Sequence, residues 1–335
     1  MKAIILAGGS GERFWPLSNS KTPKQFLKIF SNKSLLRETF ERLNHKLSKD
    51  DIFVVTSEKH FINTKNDIPE LSENNIILEP IARNTAPACM LATLCAKNDD
   101  IVLILPADHY IPDWINFWKT VDLAIKAAEN DSLITFGISP NRPETGYGYI
   151  EKSEEISKDI FNVKSFREKP NLDTAIDFLK SNNFLWNSGM FVWKKSVFMN
   201  EMKLYNRDMY DKMNELNPKN IEKLRKIMPE VERISIDYAL MEKSKNVKCI
   251  QSNFTWSDVG NWVSVRELEG YSDKKENIYL FNSKNVFIHS NKKVGIVGLE
   301  NIVLIETDDG ILISKEDSVQ NVRNIVEQLK KEDKF

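Results

Sequence analysis

Cysteine is scarce in this 335-residue sequence, with Cys89, Cys95 and Cys249 the only three. An odd count without metal-ligand spacing argues against a disulfide framework and for reduced thiols acting as small core residues. Histidine is nearly as rare, and His45, His60, His109 and His289 form no zinc-spaced set with one another or with a cysteine. A structural role is preferred for all four, although His109 follows Asp108 and could support it. Excess charge is lacking too: 47 Lys and Arg against 48 Asp and Glu leave a formal net charge of −1, with no basic run. That balance argues against nucleic acid and anionic membrane as partners. No apolar stretch approaches the roughly 20 residues of a membrane span. The N-terminal Ala3–Ala7 is shorter than a signal-peptide core. With 41% hydrophobic and 28% charged residues, the expectation is a soluble, cytoplasmic globular protein.

What is present is a regular alternation. Short apolar runs at Ala3–Leu6, Ile52–Val55, Ile76–Leu78, Ile101–Leu105 and Leu133–Phe136 read as strands buried on both faces. Between them Ser34–Leu47, Asn84–Lys97 and Asp113–Glu129 carry helical spacing, which predicts an α/β, doubly wound, Rossmann-like sheet, mixed but mostly parallel and flanked by helices. After Gly146 the pattern becomes mixed. Tyr147–Lys152 and Phe161–Phe166 read as strands, Leu172–Leu179 as a helix, Val197–Lys245 as mostly helical and Val247–Ile250 as a strand. From Asn277 onward IYLF, NVFIH, VGIVG, IVLIE and ILISK alternate with turn residues before an amphipathic helix over Val319–Leu329. This predicts a catalytic domain over residues 1–265 and a small β domain with a terminal helix over 266–335.

Residues 6–26, LAGGSGERFWPLSNSKTPKQF, follow the first predicted strand. Glycines there let backbone N–H groups surround phosphate oxygens, and Arg13 and Lys24 add positive charge. A generic glycine-rich turn fits equally well. Two familiar fingerprints do not fit. Gly9 and Gly11 match the start of a dinucleotide loop but Phe14 occupies its third position, and the GK[ST] ending of a nucleoside-triphosphatase loop is missing. Ser10 is no nucleophile elbow, because Glu12 stands where that motif requires glycine.

The full pattern resembles the signature of the sugar-nucleotide pyrophosphorylases, with Gly8, Gly9, Gly11, Arg13, Pro23 and Lys24 at matching positions. The resemblance implies that Leu6, Gly8, Gly9 and Gly11 surround a nucleotide and that Arg13 and Lys24 are catalytic. Two separated aspartates follow the same logic. Asp108 ends the strand IVLIL, where open α/β sheets bind ligands, and Asp258 lies in TWSDVGNW. Each alone fits an ordinary turn or cap, but Mg²⁺ needs only one or two carboxylates plus substrate phosphates. The resemblance makes Asp108 and Asp258 its ligands and catalytic residues.

EPIARNTAPA, residues 79–88, resembles the corresponding segment of the mannose-1-phosphate guanylyltransferases within that group. A carboxylate at Glu79 would accept from the N1–H and N2–H of guanine, which favours guanine over adenine. Asn84 and Thr85 either cap the following helix or contact the nucleotide, and Arg83 either meets phosphate or pairs on the surface. Gly146 and Tyr147 in ETGYGYIE, Glu168 and Lys169 in FREKP, and Asn187 in WNSGMF occur in the order that the family's sugar-phosphate site requires. Singly, Glu168 and Lys169 read as an exposed ion pair and Asn187 as a turn residue. The resemblance implies GTP and mannose 1-phosphate as substrates, Mg²⁺ as cofactor, a homodimer, and a C-terminal β domain like a short left-handed β-helix. Two alternatives stay open: a guanylyltransferase for another sugar 1-phosphate such as a manno-heptose, and a silent sugar-nucleotide sensor.

Overall fold

A computed structural model of the chain describes every residue except Ser10, Lys274 and Asp333. Ser10, excluded above as a nucleophile elbow, lies outside the described residues. The chain forms two compact units. One comprises Met1–Gly8, Thr39–Ala107 and Ile111–Trp256, and the other Gly9–Glu38, Asp108–Tyr110 and Ser257–Phe335.

The first unit is built on a nine-stranded sheet. Its strands are β1 (Lys2–Ala7), β2 (Ile52–Ser57), β3 (Ile76–Glu79), β4 (Ile101–Pro106), β5 (Leu133–Ile138), β6 (Gly148–Ser157), β7 (Ile160–Glu168), β8 (Phe184–Lys194) and β9 (Val247–Ser252). They lie in the order β3-β2-β1-β4-β8-β5-β9-β7-β6. The apolar runs become the doubly buried strands expected of them: Val102, Leu103, Ile104 and Leu105 are all 0% exposed.

The sheet is mixed, as expected, but it is not mostly parallel. The β1–β2, β1–β4, β2–β3 and β5–β9 pairs are parallel, but β4–β8, β5–β8, β6–β7, β6–β8 and β7–β9 are antiparallel. The cause is β8, which inserts between β4 and β5 and runs against both. Apolar periodicity assigns no strand there because Asn187, Ser188 and Gly189 interrupt it. Its pairing with β5 is irregular between Thr135 and Gly137, where a side chain on Gly137 would stand 2.6 Å from Leu185 and 2.7 Å from the Cys249 sulfur. Such a shift re-aims neighbouring side chains, and here it sets Asn187 opposite Gly137. The helical stretch after β8 resolves into Lys195–Tyr205, Arg207–Met213, Ile221–Ile227 and one π-helical turn, Asp237–Met241.

The second unit holds short 3₁₀ turns at Glu12–Phe14 and Lys24–Phe26 and the strands β10 (Ile278–Phe281), β11 (Lys284–His289), β12 (Val294–Val297), β13 (Glu300–Thr307) and β14 (Gly310–Lys315), with Phe14 and Leu27 in one core with residues of β11, β13 and β14. β10 pairs parallel with β12 and β11 parallel with β13, Ile278 lying beside Val294 and Val286 beside Ile302. Each partner is thus 16 residues further along, as for Asn285, whose amide donates to that of Asn301 at 2.9 Å. Both asparagines hold left-handed backbone (φ 54° and 57°), which Asn tolerates better than most residues. β14 returns antiparallel on β13. The closing helix, Val322–Lys331, starts later than its periodicity suggests, because a 3₁₀ segment, Glu316–Asn321, takes up the first part of the pattern. Phe14 packs on Trp262 with ring centroids 5.1 Å apart, in a core shared with Phe287, Val303, Ile305 and Val326.

Candidate active site

Within the second unit, the glycine-rich opening closes on Lys24. Gly11 has φ 67°, and a Cβ there would lie 2.4 Å from Lys24 Cβ and 2.6 Å from its backbone nitrogen. Only glycine meets both demands. Ser18 Oγ ties the loop by donating to the Gly11 carbonyl at 2.7 Å. Gly9 differs: a Cβ there would meet nothing within 4 Å.

The Lys24 side chain is buried, and its ammonium donates to Asp108 Oδ2 at 2.7 Å and to the Asp258 carbonyl at 2.5 Å. A short bridge brings these distant segments together: Tyr110 N–H donates to Ser257 O at 2.9 Å and Ser257 N–H returns to Tyr110 O at 3.1 Å. Burial pushes the Asp108 carboxyl up, but Lys24 and His109 outweigh it and hold the group below the usual carboxylate range. Asp258 is placed by unusual backbone. Val259 has φ 47°, rare for a β-branched residue, and a Cβ on Gly260 would stand 2.9 Å from Asp258 Oδ2. Val259 is held in that conformation by full burial in the unit's core. Arg13 sits half-buried on the Glu12–Phe14 turn. Among the described residues no group of three or more His, Cys, Asp and Glu side chains converges. Asp108 and Asp258 are oxygen donors on segments that meet at Lys24, a type of donor that suits a hard cation completing its shell with phosphate oxygens.

The first unit holds the other predicted residues. Glu79 ends β3 and is only 5% exposed. Burial pushes its carboxyl up to about 7. Its Oε1 is buried with no hydrogen-bond donor, while Oε2 lies 3.7 Å from where a Cβ on Gly8 would stand. Leu6 sits on β1, its carbonyl accepting from Ala107 N–H at 2.9 Å. Asn84, at φ 70°, caps the helix Thr85–Leu94 by accepting from Thr85 N–H at 2.8 Å. Thr85 Oγ1 accepts from Ile236 N–H at 2.8 Å. Arg83 donates to the carbonyls of Met228 and Pro229, at 3.1 and 2.5 Å.

A second cluster in this unit gathers Tyr147, Glu168, Lys169 and Asn187. Tyr147 meets Trp186 and Trp256 edge-on, at centroid distances of 5.1 and 5.5 Å. Lys169 ion-pairs with Glu168 and has φ 45°. Gly146 N–H donates to Glu144 Oε1 at 2.9 Å. Three members of the cluster escape sequence reasoning. Trp256 lies within the TWSDVGNW motif that carries Asp258, and its aromaticity is the available signal. Gly148 leaves a space where a Cβ would stand 2.6 Å from Glu168 Oε2. Asp237, on the π-helical turn, accepts from Asn187 Nδ2 at 2.8 Å, and burial together with Glu168 pushes its carboxyl up to about 6. Its sequence neighbourhood, DYALM, reads as ordinary helix.

The nucleotidyl transferase family model matches residues 2–273, and the mannose-phosphate isomerase/GMP-like beta-helix domain matches residues 276–329. The chain belongs to the nucleotidyl transferase family. Within it, mannose-1-phosphate guanylyltransferase RfbM of Salmonella typhimurium is 40% identical over 289 residues, covering 82% of this chain and 60% of that protein. Mannose-1-phosphate guanylyltransferase of Escherichia coli K12 is 38% identical over 286 residues, covering 80% and 60%. The chain therefore spans about 60% of the length of these curated relatives. A Thermus thermophilus crystal structure described as mannose-1-phosphate geranyltransferase superposes with TM-score 0.89 at 27% identity, covering 98% of this chain and 99% of that one. A Helicobacter pylori structure described as mannose-6-phosphate isomerase matches with TM-score 0.64 at 33% identity, covering 77% and 100%. No helix among the described residues is long and apolar enough to cross a membrane.

Proposed function

We propose that the chain is a mannose-1-phosphate guanylyltransferase, forming GDP-mannose and pyrophosphate from GTP and α-D-mannose 1-phosphate. The observation that carries this reading is the buried Glu79 carboxylate with an oxygen that no protein donor satisfies. A buried acceptor without a donor is costly, and the adjacent N1–H and N2–H of guanine supply donors that adenine lacks on that edge. Curated relatives named for this reaction support it further.

In the reaction a phosphate oxygen of the sugar phosphate forms a bond to the α-phosphorus of GTP while the bond to the bridging oxygen breaks, and pyrophosphate leaves in line. No protein nucleophile is required. Two anions must approach, so catalysis rests on positioning and charge. In this reading Leu6, Gly8, Gly9, Gly11, Asn84 and Thr85 line the nucleotide, and Arg13 and Lys24 hold its triphosphate. Lys169 neutralises the incoming phosphate, and Gly146, Tyr147, Glu168 and Asn187 receive the sugar. Asp108 and Asp258 would hold Mg²⁺, which supplies neutralisation of phosphate charge when bound. Residues 1–265 carry this chemistry, residues 266–335 form an accessory β domain, and the protein pairs as a homodimer.

The test is pyrophosphate release from purified protein with Mg²⁺, offering each nucleoside triphosphate with mannose, glucose and manno-heptose 1-phosphates. Turnover confined to GTP and mannose 1-phosphate supports the reading. Preference for the heptose moves the substrate, and GTP binding without turnover on any sugar makes the chain a sensor.

A further inference from the structure

Asn187 can offer a ligand only one kind of hydrogen bond. Its carbonyl oxygen already accepts from Thr135 Oγ1 at 3.2 Å and from Gly189 N–H at 3.2 Å, which occupies both lone pairs. One of its two amide hydrogens goes to Asp237 Oδ1 at 2.8 Å. Turning the amide over would set its NH₂ against the Gly189 N–H and its oxygen against the Asp237 carboxylate, two repulsive contacts in place of two bonds. What remains is a single N–H.

The neighbourhood is shaped for that donor. The irregular pairing of β5 with β8 sets Asn187 opposite Gly137. The missing side chain of Gly148 lets the Glu168 carboxylate come close, Oε2 standing 2.6 Å from where a Cβ would lie, with Asn187 Cβ at 3.5 Å from the same point. A carboxylate acceptor and the Asn187 side chain are thus neighbours, and a hydroxyl bound against both can give its proton to Glu168 and accept from Asn187. The partner of Asn187 comes from a π-helical turn, a local distortion that recurs at functional sites.

We infer that Asp237 is a positioning residue that locks the Asn187 amide as a hydrogen-bond donor toward a hydroxyl of the bound sugar 1-phosphate. This rests on the sugar-phosphate assignment made above for Glu168, Lys169 and Asn187. Asp237 acts through Asn187 and does not itself touch the substrate.

The test compares D237A, D237N, N187A and the D237A/N187A double variant, measuring kcat and the KM for mannose 1-phosphate and for GTP, with thermal unfolding to verify folding. D237A raises the KM for mannose 1-phosphate about tenfold, the effect of one lost hydrogen bond of ~1.4 kcal/mol, and leaves the KM for GTP unchanged. D237N keeps an amide oxygen to accept from Asn187 and restores most of the loss. The double variant is no worse than N187A, because the two residues act as one unit. Three results overturn the inference alone: D237A within twofold of the parent, D237N as impaired as D237A, or losses that add in the double variant. Should D237A fail to fold, D237S takes its place in the same comparison. An N187A variant with unaltered KM for mannose 1-phosphate would bring down the sugar-site assignment, and this inference with it.

Discussion

The Lys24 ammonium stands 2.7 Å from the Asp108 carboxylate, and the same ammonium reaches the Asp258 backbone carbonyl at 2.5 Å. One cation therefore touches both Asp108, through its carboxylate, and Asp258, through its backbone.

Replacing that cation is the sharpest probe of the assignment. Lys24→Met is expected to lower kcat by about a hundredfold to a thousandfold, the usual loss on deleting an electrostatic donor from such a site. Its pH signature is specific. Although burial pushes Asp108 up, Lys24 and His109 bring it below the ordinary range, so the pair contributes stability above the unfolded carboxylate's titration and loses it as pH falls through the depressed value. Thermal unfolding of parent and variant should differ most near neutrality and converge in acid. A kcat within a few fold of the parent would remove Lys24 from the mechanism.

Glu79 titrates in the opposite sense. Burial raises its carboxyl to about 7, so below that pH the folded protein holds it neutral. Folding stability from this group is greatest in acid and is lost as pH rises from the unfolded value through 7. Guanine's donors require the ionised form, so the KM for GTP should fall as pH rises from about 6 to about 8, by roughly the tenfold rise in ionised fraction. In Glu79→Gln that pH dependence vanishes and the preference for GTP over ATP narrows. A parallel pH profile in both proteins would assign base recognition elsewhere.

Gly11 and Gly9 separate a folding glycine from a ligand glycine. Gly11→Ala forces a Cβ to within 2.4 Å of Lys24 and keeps φ at 67°, so both thermal stability and turnover should drop, stability by more than about 1 kcal/mol. Gly9→Ala meets nothing within 4 Å, so it should fold normally and show a higher KM for GTP. Unchanged GTP kinetics in folded Gly9→Ala would argue against a phosphate role for that position.

Much of this was readable in the sequence because the underlying signals are local. The runs that became β1 to β5 are apolar on both faces, and a strand buried on both faces has no other composition open to it. Family membership was likewise written in the long motif from Leu6 to Phe26. Where reading failed, chemistry and packing competed for the same residues. β8 was hidden because Asn187, Ser188 and Gly189 break its apolar pattern, and losing β8 made the sheet look mostly parallel. Asp237 was hidden because its importance lies in a contact to Asn187, 50 residues away in the chain, which no spacing encodes. Gly148 is hidden for the same reason, since its place depends on the close approach of Glu168, which lies outside its own motif.

The 16-residue offset between β11 and β13 has a consequence for how this β unit tolerates change in length. Its parallel ladder behaves like a winding whose circumference is fixed, with Asn285 over Asn301 marking the same corner on successive turns. An insertion of one full circumference would lay down another layer and keep every corner aligned. A one-residue insertion ahead of a corner would carry its asparagine off the bend and move Lys284 or Glu300 onto left-handed backbone. Length in this unit is therefore quantised, and variation between its relatives should collect in the loops that leave the corners.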